Sequence, residues 1–115
     1  MNQQGKAKTK YVRIAPRKAR LAAGLIRGKT ALQAMTDLTF CNLKAGHHMK
    51  KTLMSAIANA ETQHGVQREQ LVVKEARVDE GPTMKRAKTR SRGSRVPIMK
   101  RMSHLVVIVG PKENN

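Results

Sequence analysis

Between Met84 and Met102 stand eight lysines and arginines and no carboxylate: Lys85, Arg86, Lys88, Arg90, Arg92, Arg95, Lys100 and Arg101. The chemistry open to such a set is the neutralisation of closely spaced anions. Its arginines can grip a phosphate through two parallel hydrogen bonds. Little in KRAKTRSRGSRVPIMKR can fill a core, only Ala87, Val96, Ile98 and Met99. Such a stretch repels itself and cannot collapse alone, so it is expected to order against a polyanion, nucleic acid first of all.

Other groupings offer less. Gly24 to Thr30 reads GLIRGKT, a P-loop one residue short, and it follows a helical pattern where a P-loop follows a strand. It reads instead as one helix C-cap and the next N-cap. His47 and His48 diverge by about 100° on a helix, and His64 and His104 are remote in sequence. No set of metal ligands converges, and these histidines read as surface or RNA-adjacent groups. Asp79 and Glu80 face opposite sides of a strand, which rules out a general acid–base pair, and a metal-dependent nuclease would need more acids. Pairing with nearby arginines is the simpler role. One cysteine, Cys41, allows neither an internal disulfide nor a Cys-cluster zinc site. No catalytic residue, metal or cofactor is expected.

The totals agree. Across 115 residues, 24 Lys/Arg face 7 Asp/Glu, a net charge of +17. The length suggests a single domain, residues 1–115. The charge opposes self-association, so no homo-oligomer is expected, and it favours phosphates. An acidic membrane surface would attract it too, but no apolar run nears the ~20 residues that span a bilayer. MNQQGKAKTK has neither the apolar region of a secretory signal nor the arginines of a transit peptide, which fits a cytoplasmic protein. Tyr11 and Phe40 are the only aromatics, too few for base stacking of the usual kind. Contacts should go to phosphate, ribose and groove shape.

The elements that must position these cations follow from periodicity. Residues 1–7 look frayed. Lys10 to Ile14 reads as a short strand, with Val12 and Ile14 on one face. Pro16 suits a first helical turn, and that helix should run to about Arg27 and stop at Gly28. Leu21, Leu25 and Ile26 form its apolar side. Arg17, Arg20 and Arg27 form a basic stripe, with Gly24 leaving a gap for close approach. Thr30 with Gln33 fits a capping box for a second helix burying Leu32, Met35 and Leu38. A third helix, about Leu43 to Gln63, repeats Leu43, Met49, Leu53, Ala56, Ile57 and Ala60 at helical spacing and ends at Gly65. Lys44, Lys50 and Lys51 lie off that stripe. Leu71 to Asp79 reads as a strand whose phase slips near Lys74–Glu75, as at a bulge. Leu105 to Val109 is a stronger strand. Strand, basic stretch, strand implies a long hairpin over about 83–101, its tip near Arg92–Gly93, projecting roughly 30 Å at ~3.3 Å per residue. The fold class is therefore α+β.

Four segments now carry a resemblance: IAPRKARLAAGLIRGK (Ile14 to Lys29), SAIANAE (Ser55 to Glu61), VDEGPTMKR (Val78 to Arg86) and KRMSHLVVIV (Lys100 to Val109). In this order, over about Lys10 to Gly110, the chain resembles the L-twenty-two family of large-subunit ribosomal proteins in its bacterial form. The resemblance implies three helices on a three-stranded antiparallel sheet with a long protruding basic β-hairpin. It also implies large-subunit rRNA and neighbouring large-subunit proteins as partners, in the cytoplasmic ribosome, with the tip reaching the nascent peptide in the exit tunnel. The chain departs from the family's pattern at three places. Ala15 stands where a serine often precedes the helix proline, Gly24 replaces a usual acid, and the tip reads TRSRGSR where PRAxGRA is common.

The expected function is that of a structural rRNA-binding protein. RNA contacts are expected from Lys10, Arg13, Arg17, Lys18, Arg20, Arg27 and Lys29, and from Lys85, Arg86, Lys88, Arg90, Arg92, Arg95, Lys100 and Arg101. Arg90, Ser91, Arg92, Gly93, Ser94 and Arg95 form the expected tip. The alternative is an architectural DNA-binding protein that lays a basic β-ribbon in a groove, usually as a two-armed dimer.

Overall fold

A glycine buried against a helix sets where the first strand begins. The computed structural model describes residues 3–89, 91–93 and 95–112, with the backbone alone at 88, 89, 91 and 95–97. Strand β1 is Gly5–Val12, so the chain is ordered from within the stretch expected to fray. A Cβ on Gly5 would sit 2.3 Å from the carbonyl oxygen of Ala56 and 2.6 Å from the backbone nitrogen of Ala60. Only glycine lets β1 lie this close to the third helix. The expected alternation survives, with Val12 and Ile14 buried and Tyr11 and Arg13 exposed. The strand is not regular, however. Lys10 and Tyr11 together oppose His104, and Tyr11 takes a left-handed φ of 60°. Its N–H donates to His104 Nδ1 at 3.1 Å.

The helices follow: α1 (Pro16–Ile26), α2 (Ala31–Thr39) and α3 (Lys44–His64). Their buried faces correct two of the expected stripes. In α1 the buried residues are Pro16, Ala19, Ala22, Ala23 and Ile26, while Leu21 and Leu25 are 60% and 40% exposed. In α2 Ala31, Ala34 and Leu38 are buried, Met35 is half-buried and Leu32 is exposed. Alanine wins because a short side chain lets helix and sheet approach closely, which the bulkier leucines on the adjoining face would prevent. The α3 stripe holds from Met49 to Ala60, but Leu43 is an exposed N-cap instead of a core residue. Gly65 ends α3 with a φ of 66°. Thr30 caps α2, its Oγ1 accepting from Gln33 N–H.

Strand β2 (Leu71–Glu80) precedes the basic segment, whose paired strands are β3 (Met84–Thr89) and β4 (Arg95–Lys100); β5 (Ser103–Pro111) follows. An antiparallel sheet of order β1-β5-β2 carries the helices. The phase slip in β2 is a bulge at Lys74, between Val73 and Glu75. Ser103, fully buried, donates to the Ile14 carbonyl at 2.6 Å and ties β5 to the β1–α1 turn. Strands β3 and β4 make a second, two-stranded antiparallel sheet, and the chain turns at Ser91–Gly93. Arg92 and Gly93 both have left-handed φ, 67° and 74°, where the tip was expected. Six pairs, Met84↔Lys100 to Thr89↔Arg95, make each arm shorter than the nine residues anticipated, about 20 Å at ~3.3 Å per residue.

Candidate nucleic-acid interface

In the two-stranded sheet the register keeps cations apart. Lys85 pairs with Met99, Arg86 with Ile98, Lys88 with Val96, and Lys100 with Met84. No cation lies directly opposite another, where like charges would destabilise the pair. Lys85, Arg86, Ala87, Ile98, Met99 and Lys100 are all exposed, and Met84 is half-buried. Among the described side chains the sheet therefore presents charge and scattered apolar surface and buries none of them fully. Pro97 fits because each strand of a two-stranded sheet has a free edge. Arg90 and Ser94, two expected tip residues, lie outside the described residues, as do the side chains of Lys88, Ser91 and Arg95.

The body cations divide into two groups. Arg27 Nε donates to the Ala76 carbonyl at 2.8 Å, and Arg20 reaches the Val78 carbonyl at 3.4 Å. These carbonyls lie on the free edge of β2, so the two arginines satisfy an edge that would otherwise attract another strand. Lys29 pairs with Asp37 at 2.5 Å. The stripe read from α1 is thus partly engaged within the fold. Lys10, Arg13, Arg17 and Lys18 are exposed and make no ion pair among the described residues.

Arg13 and Lys18 converge with Lys44, absent from the sequence-derived set, around a cleft between the starts of α1 and α3. The only local signal for Lys44 was its place at the first turn of a helix. Arg101 lines a smaller hollow with Pro16, where the base of the two-stranded sheet meets α1. Glu80 lines that second hollow as well, so the cleft of Arg13, Lys18 and Lys44 is the more purely basic of the two.

Four of the acids are paired within the chain: Asp37, Glu61, Glu75 and Asp79. Arg77 pairs with Glu75 at 3.0 Å and Asp79 at 3.2 Å, so among the described residues the arginine pairing expected of Asp79 and Glu80 is seen for Asp79 alone, and Arg68 pairs with Glu61 at 2.8 Å. Among the described residues no three His, Cys, Asp or Glu side chains cluster as metal ligands, and no helix is long and apolar enough to cross a membrane. His48 sits one turn from Lys44. Burial holds its pKa below the usual 6.5, and the nearby charges of His47, Lys51 and Lys44 push the same way.

Comparison with known proteins agrees with this arrangement. The family described as Ribosomal protein L22p/L17e matches residues 7–110. A protein of Protochlamydia amoebophila named large ribosomal subunit protein uL22 is 64% identical over 104 residues, covering 90% of this chain and 94% of its own length. Proteins of the same name from Chlamydia caviae and Chlamydia trachomatis serovar L2 are 58% and 55% identical, each over more than nine-tenths of both chains. With nearly the whole chain matched, from the buried first strand to the end of β5, this protein belongs to the ribosomal protein L22p/L17e family.

Proposed function

We propose that this chain is a structural, non-enzymatic constituent of the large subunit of the cytoplasmic ribosome that binds and organises large-subunit rRNA. Its body, together with β3–β4, acts as a single domain, with β3–β4 forming a hairpin that protrudes from the body. Its tip, residues 90–95, reaches the exit tunnel and meets the nascent peptide, while the body touches neighbouring large-subunit proteins. The observation that carries this reading is shape combined with charge. The radius of gyration, 17.2 Å, exceeds the ~13 Å of a compact chain of this length, and a protruding basic β3–β4 sheet is consistent with that excess. Lysines and arginines would neutralise phosphates so that distant RNA segments approach each other, and binding would supply the ordering entropy of the hairpin. Lys10, Arg13, Arg17, Lys18, Lys85, Arg86, Lys88, Arg90, Arg92, Arg95, Lys100 and Arg101 are the proposed contacts. Arg20 and Arg27, whose bonds to neutral carbonyls leave their charge intact, are further proposed contacts, as is Lys29 beside its partner Asp37.

With about six phosphates neutralised, log K for large-subunit rRNA should fall with log salt at a slope near −4 to −5. A slope near zero contradicts RNA binding. A photocrosslinking residue at Arg92 in assembled subunits should capture a stalled nascent chain; labelling of rRNA and surface proteins alone removes the tunnel from the reading. Recovery of the protein as a free dimer on chromosomal DNA would favour the architectural alternative.

A further inference from the structure

The cleft between the starts of α1 and α3 has a volume of about 290 Å³, and Arg13, Lys18 and Lys44 supply its ionisable lining. It contains no carboxylate. A hollow of about 330 Å³ beside Glu61, Arg68 and Glu69 makes the contrast, since its arginine is already paired with Glu61. Elsewhere in the body Lys29, Arg68 and Arg77 have acidic partners and Arg20 and Arg27 have carbonyls, while Lys10 and Arg17 have no ion pair among the described residues. Here Arg13 and Lys18 at the start of α1 meet Lys44 at the start of α3, and among the described residues none has a counter-charge. Convergence of like charge costs free energy unless an outside anion completes it.

The rest of the lining says what kind of anion. Leu43 gives the cleft exposed apolar surface that a bare phosphate has no use for, with the nearly buried Ile14 at its back. Leu43 is 39% exposed at the N-cap of α3, a position that favours Ser, Thr, Asp or Asn. Ala15 is the N-cap of α1, and neither helix has a side-chain cap or an acid in its first turn. The first-turn N–H groups add to the positive field of the three side chains.

We propose that this cleft seats a single nucleotide of an RNA strand, its phosphate among Arg13, Lys18 and Lys44 and its sugar or base against Leu43. The inference rests on the rRNA-binding reading and adds to it a discrete site on the body. Extrusion of one nucleotide from a loop or bulge is how proteins commonly reach single RNA residues.

Two measurements test it. In titrations of isotope-labelled full-length protein, adenosine monophosphate and inorganic phosphate should both shift the backbone amides at 17–18 and 44–46. The nucleotide should saturate at least about threefold lower, because it alone uses the apolar surface of Leu43. Equal midpoints, or no shifts at these residues, overturn the seat whatever the protein does with rRNA. With a large-subunit rRNA transcript, Lys18→Ala/Lys44→Ala should weaken binding and reduce the salt slope by about 1. Leu43→Ser adds a capping hydroxyl, so folding is retained or improved, yet affinity should fall at least about threefold with the slope unchanged. Wild-type affinity in both variants also overturns the site. A wild-type slope near zero instead rejects the rRNA reading and leaves the nucleotide titration to judge the cleft alone.

Discussion

The body and the β3–β4 sheet meet at residues 81–83 and 101–102, yet they use their side chains in opposite ways. In the body, alanines and branched aliphatics are buried, and most charges close to the sheet edge have partners within the chain. In β3–β4 every described side chain except the half-buried Met84 is exposed, and cations alternate with apolar residues across the strands. One region derives its order from its own core. The other has paired strands but little burial, and a two-stranded sheet of this kind is marginal in water without support. The same chain thus contains a scaffold and a segment whose described side chains bury little of their own surface.

The largest test of this contrast removes equal kinds of atoms from both regions. Leu53→Ala, at a fully buried position of α3, should cost about 2–5 kcal/mol in urea unfolding of the free protein. Met99→Ala, more than half exposed in β4, should change stability by less than about 0.5 kcal/mol. Comparable losses would mean that β3–β4 shares the body's cooperative core. Gly5→Ala comes next. Its Cβ would meet backbone atoms of α3, so β1 must shift, at a cost of about 1–3 kcal/mol.

Arginines give a finer division. Arg27→Ala loses the bond to the Ala76 carbonyl and should destabilise the free protein by about 1 kcal/mol, the exposed setting discounting a charged hydrogen bond. Arg17→Ala, with no such bond among the described residues, should leave stability unchanged and weaken RNA binding. If the two variants behave alike in both assays, the separation of edge-covering from RNA-facing cations is wrong.

These residues also show where the sequence was legible. Helical periodicity located all three helices to within a residue or two, and the slipped phase of LVVKEARVD located the bulge in β2. The turn at Arg92–Gly93 followed from a glycine between basic arms. What periodicity could not rank was size. Leu21, Leu25 and Leu32 have the right spacing for burial, but the adjacent alanine faces win because close packing needs small side chains. Gly5 looked like part of a polar tail, and only α3, fifty residues later, explains it. Likewise, nothing local distinguishes Arg17 from Arg27. The carbonyl that occupies Arg27, that of Ala76, belongs to a strand placed by tertiary structure.

Ala15 offers a smaller gain-of-function test confined to the body. As the N-cap of α1 it makes no side-chain bond. Ala15→Ser should add a hydroxyl acceptor for a first-turn N–H and stabilise the free protein by about 0.5–1 kcal/mol. Protection of amides in α1 should rise, while those of β3–β4 should exchange as before. Increased protection in both would show the two regions opening together.

The smallest effect separates the regions by pH. All four histidines lie in the body, and β3–β4 has no group titrating near neutrality. His48 has its folded-state pKa below 6.5 through burial and the charges of His47, Lys51 and Lys44. The unfolded chain therefore binds the proton more readily, and stability must fall as pH drops below about 6.5, levelling off below the folded pKa. A histidine proton titration of the free protein should find the His48 midpoint below that of an exposed histidine. RNA phosphates near Lys44 would offset the surrounding positive charge and move the midpoint upward on binding. An upward shift on rRNA binding places anions beside the start of α3. An unchanged midpoint in the complex would confine the RNA to other faces of the protein, with the heaviest demand then falling on β3–β4.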